Sequence, residues 1–193
     1  MSVSQHITSA GRGRKTRSEH EHVNGTTTYG YNNAGELALV SYSDGSGYGL
    51  TNDEFGRVLQ VTNASTVLVQ RTYSPAGDLT SETMNGITVS NRYDDLRRRT
   101  SLEVYRGATL LKSLGYSYDA GSRLQAVSNG VSTASYAYLT NSSRVSSVTF
   151  RNNGQTIMTT TRTFDSANRL TRIQSAAGVS PVSDFQYTYN SAN

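Results

Sequence analysis

One short pattern recurs eight times along this chain of 193 residues, and it constrains the fold more than any other feature. The copies are "YNNAGEL" at 31, "NDEFGRV" at 52, "YSPAGDL" at 73, "YDDLRRR" at 93, "YDAGSRL" at 118, the degenerate "YLTNSSRV" at 138, "FDSANRL" at 164 and "YNSAN" at 189. Their first positions lie 20 to 26 residues apart. A period of that size held over eight copies marks a repeat architecture, in which each unit packs on its neighbours.

Each column of the pattern has a physical reason. The first position is aromatic in most copies: Tyr31, Tyr73, Tyr93, Tyr118, Tyr138, Phe164 and Tyr189. The second holds Asn32, Asp53, Ser74, Asp94, Asp119, Asp165 and Asn190, short side chains that accept a backbone hydrogen bond at the first corner of a type I turn. Pro75 follows Ser74 where its fixed φ suits that turn. Gly35, Gly56 and Gly77 fill the fifth position, where a positive φ lets the chain rejoin a hairpin through a bulge; Asn168 and Asn193 stand there in two other copies. Arg97, Ser122 and Ser142 depart from that rule, and Gly121, one place early, suggests a shifted turn in its copy.

A polar or charged residue then leads into Leu or Val, as in Glu36-Leu37, Arg57-Val58, Asp78-Leu79, Arg123-Leu124, Arg144-Val145 and Arg169-Leu170. Leu124 and Ala126 read as sharing one strand face, although "RVSSVTF" and "RLTRIQS" show mixed spacing. A second turn falls midway in each later repeat, at "MNGI", "YRGA", "SNGV", "NNGQ" and "AAGV", and Asn-Gly between strand-like runs is a strong hairpin signal. The return strand often ends Tyr-x-Tyr, at 29/31, 116/118, 136/138 and 187/189, which places Tyr rows on one side of a sheet.

These signals predict an all-β chain: a long antiparallel hairpin meander of about fifteen strands, with one moderately apolar face and one polar face. Open sheets beyond about ten strands curl, split or close, which favours a curved wall over a compact sandwich. A propeller is the competing architecture, with four strands in every ~40 to 45 residues.

The motif "YDxxGRL" at this spacing resembles the RHS or YD-repeat family, over residues 26–193. Members are large, mostly bacterial secreted or surface proteins, with relatives in insecticidal toxin complexes and animal teneurins. The resemblance implies a β-ribbon spiralling into a hollow shell, which in toxin-bearing members encloses a C-terminal toxin domain. It also implies that this chain is an arc of such a shell, partnered by the remainder of its parent and by a toxin domain. The family's Asp-Pro-x-Gly core segment has no counterpart, since both prolines, Pro75 and Pro181, follow Ser. The final copy, Tyr189 onward, reads as a repeat cut at its fifth position.

Residues 1–25 read as a basic, flexible arm carrying Arg12, Arg14, Lys15 and Arg17. The rest of the chain is nearly charge-balanced, so no nucleic-acid face is expected, and a solvated arm is the simpler reading of "GRGRKTR". The amino terminus lacks the apolar stretch of a secretory signal, and no run is long enough to span a membrane. Localisation at the cell surface or outside the cell is implied by the family resemblance alone. Without Cys there are no disulfides or thiolate metal sites.

No catalytic residue, cofactor or metal is expected. His6, His20 and His22 all precede the repeats, so no Ser-His-Asp set can be assembled within them, and His20-Glu21-His22 offers at most two metal ligands. Asp53-Glu54 and Asp94-Asp95 are adjacent carboxylates whose first members serve turns. "GSGYG" at 45–49 lacks the Lys and following helix of a phosphate loop and reads as a hairpin end. Asn24, Asn63 and Asn141 begin Asn-x-Ser/Thr triplets of the kind a Ser/Thr-rich chain contains by chance. The tyrosines carry the one functional alternative, a cell-surface module that binds a glycan or a partner protein through Tyr-rich faces, with Tyr116, Tyr118, Tyr136 and Tyr138 as the glycan-stacking surface, against plain cross-strand packing.

Overall fold

The computed structural model describes residues 5–6, 17–22 and 25–190, with side chains from residue 25 onward. Every regular element among them is a strand. In chain order they are β1 (Gln5–His6), β2 (Arg17–His22), β3 (Gly25–Tyr31), β4 (Leu37–Tyr42), β5 (Gly47–Asn52) and β6 (Val58–Asn63). There follow β7 (Thr66–Tyr73), β8 (Leu79–Met84), β9 (Ile87–Tyr93), β10 (Arg99–Arg106), β11 (Thr109–Tyr118) and β12 (Leu124–Ser128). The last five are β13 (Ser132–Tyr138), β14 (Val145–Asn152), β15 (Gln155–Phe164), β16 (Leu170–Ala177) and β17 (Ser180–Gln186). The fifteen strands from β3 onward are the number the repeat predicts. Arg17–His22, within the segment read as an arm, pair antiparallel with β3 as strand β2. Arg12, Arg14, Lys15, Asn24 and Asn193 lie outside the described residues, as do the side chains of Arg17 and of the three histidines.

The chain divides into two compact units, Met1–Ser90 with Tyr105–Thr109, and Asn91–Val104 with Leu110–Asn193. In the first, β1 through the Ile87–Ser90 half of β9 pair antiparallel, each with the next. One face carries the row Leu50, Val61, Val69, Met84 and Ile87, each opposite the next. The other carries Thr51, Gln60, Gln70, Thr83 and Thr88 in the same relation. The second unit repeats this from β11 to β17: Val127, Ala134, Phe150 and Met158 line up on one face, and Ala137, Ser147, Thr161, Gln174 and Asp184 on the other.

Each unit is thus a single amphipathic layer, and burial confirms it. Among the described residues Val148 is the only buried hydrophobic, at 7% exposure, and no side chain falls below 2%. Two buried polar groups, Thr27 and Ser175, accompany it, and the Ser175 hydroxyl is satisfied by Thr160 at 2.9 Å. Without a central core, stability comes from ladder hydrogen bonds and cross-strand side-chain pairs between neighbours.

The bulges explain why strand faces could not be read cleanly. At six anchors the register jumps: Tyr118, for example, pairs with Leu124 but Ser117 with Ala126, and Phe164 pairs with Leu170 but Thr163 with Arg172. Leu124 and Ala126 therefore oppose residues on opposite faces, which corrects the shared face expected from their spacing. The turns also forgive non-glycine residues: Arg97 and Ser122 sit at φ +61°, the conformation Gly35, Gly56 and Gly77 take elsewhere. Gly121 does not shift its turn, because Ser122 still supplies the fifth-position bond to the Asp119 carbonyl at 2.9 Å. In the degenerate copy the positive φ moves to Asn141, and the closing bond spans one more residue, from Leu139 N–H to Arg144 C=O. "GSGYG" is a hairpin end, β4 and β5 meeting at Ser41 and Gly47, where a Cβ on Gly47 would stand 2.4 Å from the Val40 carbonyl oxygen.

Candidate functional site

The side chains of the turns form a recurring clasp along the sheet edge. In "YDAGSRL", Asp119 Oδ1 accepts the N–H of Gly121 and of Arg123, both at 2.9 Å, closing the turn. Its Oδ2 accepts Arg123 Nε at 2.7 Å. Asp53–Arg57, Asp94–Arg98 and Asp165–Arg169 repeat the ion pair at 2.6 to 2.8 Å. These carboxyls are held below their ordinary value. At Asp94 the main cause is the Arg98 guanidinium; at Asp119 and Asp165 it is the backbone N–H of the paired Arg. At Asp53 partial burial opposes the shift, and the bonds from Arg57 outweigh it.

The same Arg reaches the next repeat. Arg57, Arg98, Arg123 and Arg169 lie 4.5 to 4.7 Å from the ring centres of Tyr73, Tyr118, Tyr138 and Tyr189. Each of those tyrosines donates its hydroxyl to the carbonyl of the residue after the Arg: Val58 at 3.2 Å, Arg99 at 2.9 Å, Leu124 and Leu170 at 2.7 Å. The first position of one turn is therefore fastened to the sixth and seventh of the turn before it.

Departures from the pattern are compensated locally. Asn52, in place of Tyr, donates its amide to Leu37 C=O at 3.2 Å, although its Oδ1 is left buried without a partner. Where the second position is Asn or Ser, the sixth is acidic, so donor and acceptor exchange roles. Asn32 Nδ2 donates to Glu36 Oε2 at 2.7 Å, and Ser74 Oγ to Asp78 Oδ2 at 3.2 Å. In the degenerate copy Leu139 replaces Asp, and the aromatic of the following turn is Phe164, which has no hydroxyl to donate. The sequence reading gave the second and fifth positions their turn roles but missed that the sixth serves the following repeat. The paired exchange of Asp/Arg for Asn/Glu and Ser/Asp was the available signal.

The four tyrosines considered for glycan stacking do not share one environment. Arg99, Arg98 and Arg123 stand over Tyr116, Tyr118 and Tyr138 at 5.7, 4.7 and 4.5 Å, taking one ring face of each. Among the described residues no such cation stands over Tyr136, which lines an open-sided cavity instead. Asp53 and Asp94 are engaged in their turns through Oδ1 and Oδ2. Among the described residues no three His, Cys, Asp or Glu side chains cluster closely enough to hold a metal ion. Among the described residues no helix is long and apolar enough to cross a membrane.

No family model and no curated protein matches the sequence. The fold, however, is shared with solved structures. The Tc holotoxin pore of Photorhabdus luminescens carrying the TccC3 D651A mutation aligns over 88% of this chain, with a TM-score of 0.66 at 18% identity. The TcdB2-TccC3-Cdc42 crystal structure aligns over 86% with a TM-score of 0.66, and TcdB2-TccC3-TEV over 83% with 0.62, both at 18% identity. This chain spans only about a tenth of the length of each, 10 to 11%. The likeness establishes the fold, the strand meander that the YD-repeat resemblance implies.

Proposed function

We propose that this chain is a structural wall module: a run of RHS-type repeats within the β-shell of a larger secreted or surface protein, with no catalysis of its own. In this reading the parent shell encloses a C-terminal toxin domain, and the chain's partners are the neighbouring repeats and that cargo. The basic segment ahead of the repeats, of which Arg17–His22 pair with β3, has no role in nucleic-acid binding in this reading. The observation that carries the proposal is the clasp. Four turns, those opened by Tyr73, Tyr118, Tyr138 and Tyr189, are fastened to their predecessors by an Arg–Tyr stack and a Tyr hydroxyl bond, in layers where almost no side chain is fully buried. Such a construction extends by adding repeats, and its stability is a sum of neighbour terms. The fold shared with TcdB2-TccC3 supports the same reading, and the toxin-complex role is carried over from those proteins as part of the proposal.

The test is the complete reading frame and its product. Further YD repeats followed by a non-repetitive domain, and a hollow particle in electron microscopy, are the expected result. A parent without further repeats, or one that forms no enclosed volume, overturns the proposal. A glycan array tests the competing role of the tyrosines. Specific binding abolished by replacing Tyr136 and Tyr138 would favour a surface-recognition module.

A further inference from the structure

Among the described residues three hairpins carry Asn-Gly at the tip: Asn85–Gly86, Asn129–Gly130 and Asn153–Gly154. Two of them are alike. Met84 pairs with Ile87 and Asn152 with Gln155, so each of these loops has two residues. Asn85 and Gly86 sit at φ +50° and +74°, and Asn153 and Gly154 at +47° and +79°, the type I′ turn that Asn-Gly favours. The third is built differently. Strands β12 and β13 last pair at Ser128 and Thr133, leaving four exposed loop residues, Asn129 to Ser132, with a positive φ at Gly130 alone.

The Asn129 side chain is folded back onto its own backbone. Its Oδ1 accepts the N–H of Val131 at 3.0 Å and of Ser132 at 2.6 Å. The ring closed by the Val131 bond, an Asx turn, contains Cγ, Cβ, Cα and C of Asn129 and the nitrogen of Gly130. Those five atoms are the ones a succinimide joins. The Gly130 N–H donates to Ser128 Oγ at 3.1 Å. The Ser128 hydroxyl spends its own proton on the Ser132 carbonyl at 3.2 Å, so a lone pair faces Gly130. Glycine puts no side chain in the path of attack. Among the described residues neither Asn85 nor Asn153 has an Oδ1 held by backbone N–H groups in this way.

We propose that Asn129–Gly130 is a self-modifying site, which deamidates through a succinimide in the folded protein. The Gly130 nitrogen attacks Asn129 Cγ, and its proton passes to water. Negative charge develops on Oδ1, where two N–H donors already point, the arrangement of an oxyanion hole. The Cγ–Nδ2 bond then breaks, and the nitrogen takes one proton from solvent and leaves as ammonia. Water opens the ring at either carbonyl, giving aspartate or isoaspartate at 129. In the two-residue loops the same attack has to turn the Asn peptide against ladder pairs that flank it directly on both sides. The looser loop of Asn129 has no such restraint, and its reacting atoms are already gathered.

The test incubates the folded 193-residue protein in mildly alkaline buffer and follows each Asn-Gly site by peptide mapping with mass spectrometry. Asn129 is expected to deamidate at least about tenfold faster than Asn85 and Asn153, less than one oxyanion donor contributes in an enzyme. In urea, where only the shared Asn-Gly sequence remains, the three rates should converge. Val131→Pro removes one of the two donors to Oδ1 and should slow Asn129 about tenfold, with Asn85 and Asn153 unchanged. Circular dichroism checks that this variant keeps its β signal. Equal rates in the folded protein, an equally large ratio in urea, or an unchanged Asn129 rate in folded Val131→Pro overturns the proposal. Should Val131→Pro fail to fold, the comparison of folded protein with urea still decides it.

Discussion

The Tyr138 hydroxyl donates to the Leu124 carbonyl at 2.7 Å, tying the aromatic that opens one turn to the residue that leaves the turn before it. Arg123, next to Leu124, covers the same ring. The phenol is thus held at its tip and on its face by consecutive residues of the preceding repeat.

Removing only the tip contact should have a limited effect. Tyr138→Phe is expected to cost about 1 kcal/mol, one neutral hydrogen bond. Tyr138→Ala should cost more, because it also loses the ring's packing and the cation–π contact, ~0.5 to 1 kcal/mol at a partly exposed site. Urea unfolding followed by circular dichroism measures both. Equal losses would mean the ring contributes nothing beyond its hydroxyl.

The Asp–Arg pairs and the Asn32–Glu36 pair imply that the clasp tolerates an exchange of donor and acceptor. Arg57→Glu alone should destabilise, since it places a second carboxylate beside Asp53. Adding Asp53→Asn should recover much of the loss by recreating the Asn32–Glu36 arrangement. A double-mutant cycle reads the coupling, and strictly additive effects would count against the exchange.

Ser122 holds a left-handed conformation without being Gly. Ser122→Gly is expected to stabilise by up to ~1 kcal/mol, as relief of steric strain outweighs added chain entropy in the unfolded state. Gly77→Ala, at φ +91°, should do the reverse. Thermal unfolding midpoints moving together in one direction would show that φ at the fifth position does not govern the turn.

Acid should loosen the turns. The carboxyls of Asp53, Asp94, Asp119 and Asp165 are depressed below their ordinary value of 3.8, so the folded state binds their protons more weakly than the unfolded chain. Their stabilising contribution is fully present above the unfolded value and is lost as pH falls through the folded one. Stability should therefore hold from neutral pH to about 4 and decline below it. Asp119→Asn and Asp165→Asn should flatten that decline; an unchanged acid limb would place its origin elsewhere.

How much was legible depended on distance along the chain. The turn roles of Asp53, Gly56 and Asp119 could be read because they act on backbone groups two to four residues away. The bulges were signalled by Gly and Asn, but their consequence, Leu124 and Ala126 on opposite faces, depends on the register with β11. The partnership of Arg123 with Tyr138 spans fifteen residues, a length set by the intervening hairpin rather than by local rules.

By itself, then, the sequence determined the repeat, its turns, the all-β meander and the likeness to YD repeats, because short-range backbone sterics and hydrogen bonding are written into neighbouring residues. Only the tertiary structure decided which residues meet across strands: the Arg–Tyr clasps and the opposite faces taken by Leu124 and Ala126. Those meetings follow from strand register, and a single bulged residue is enough to change which side chains face each other.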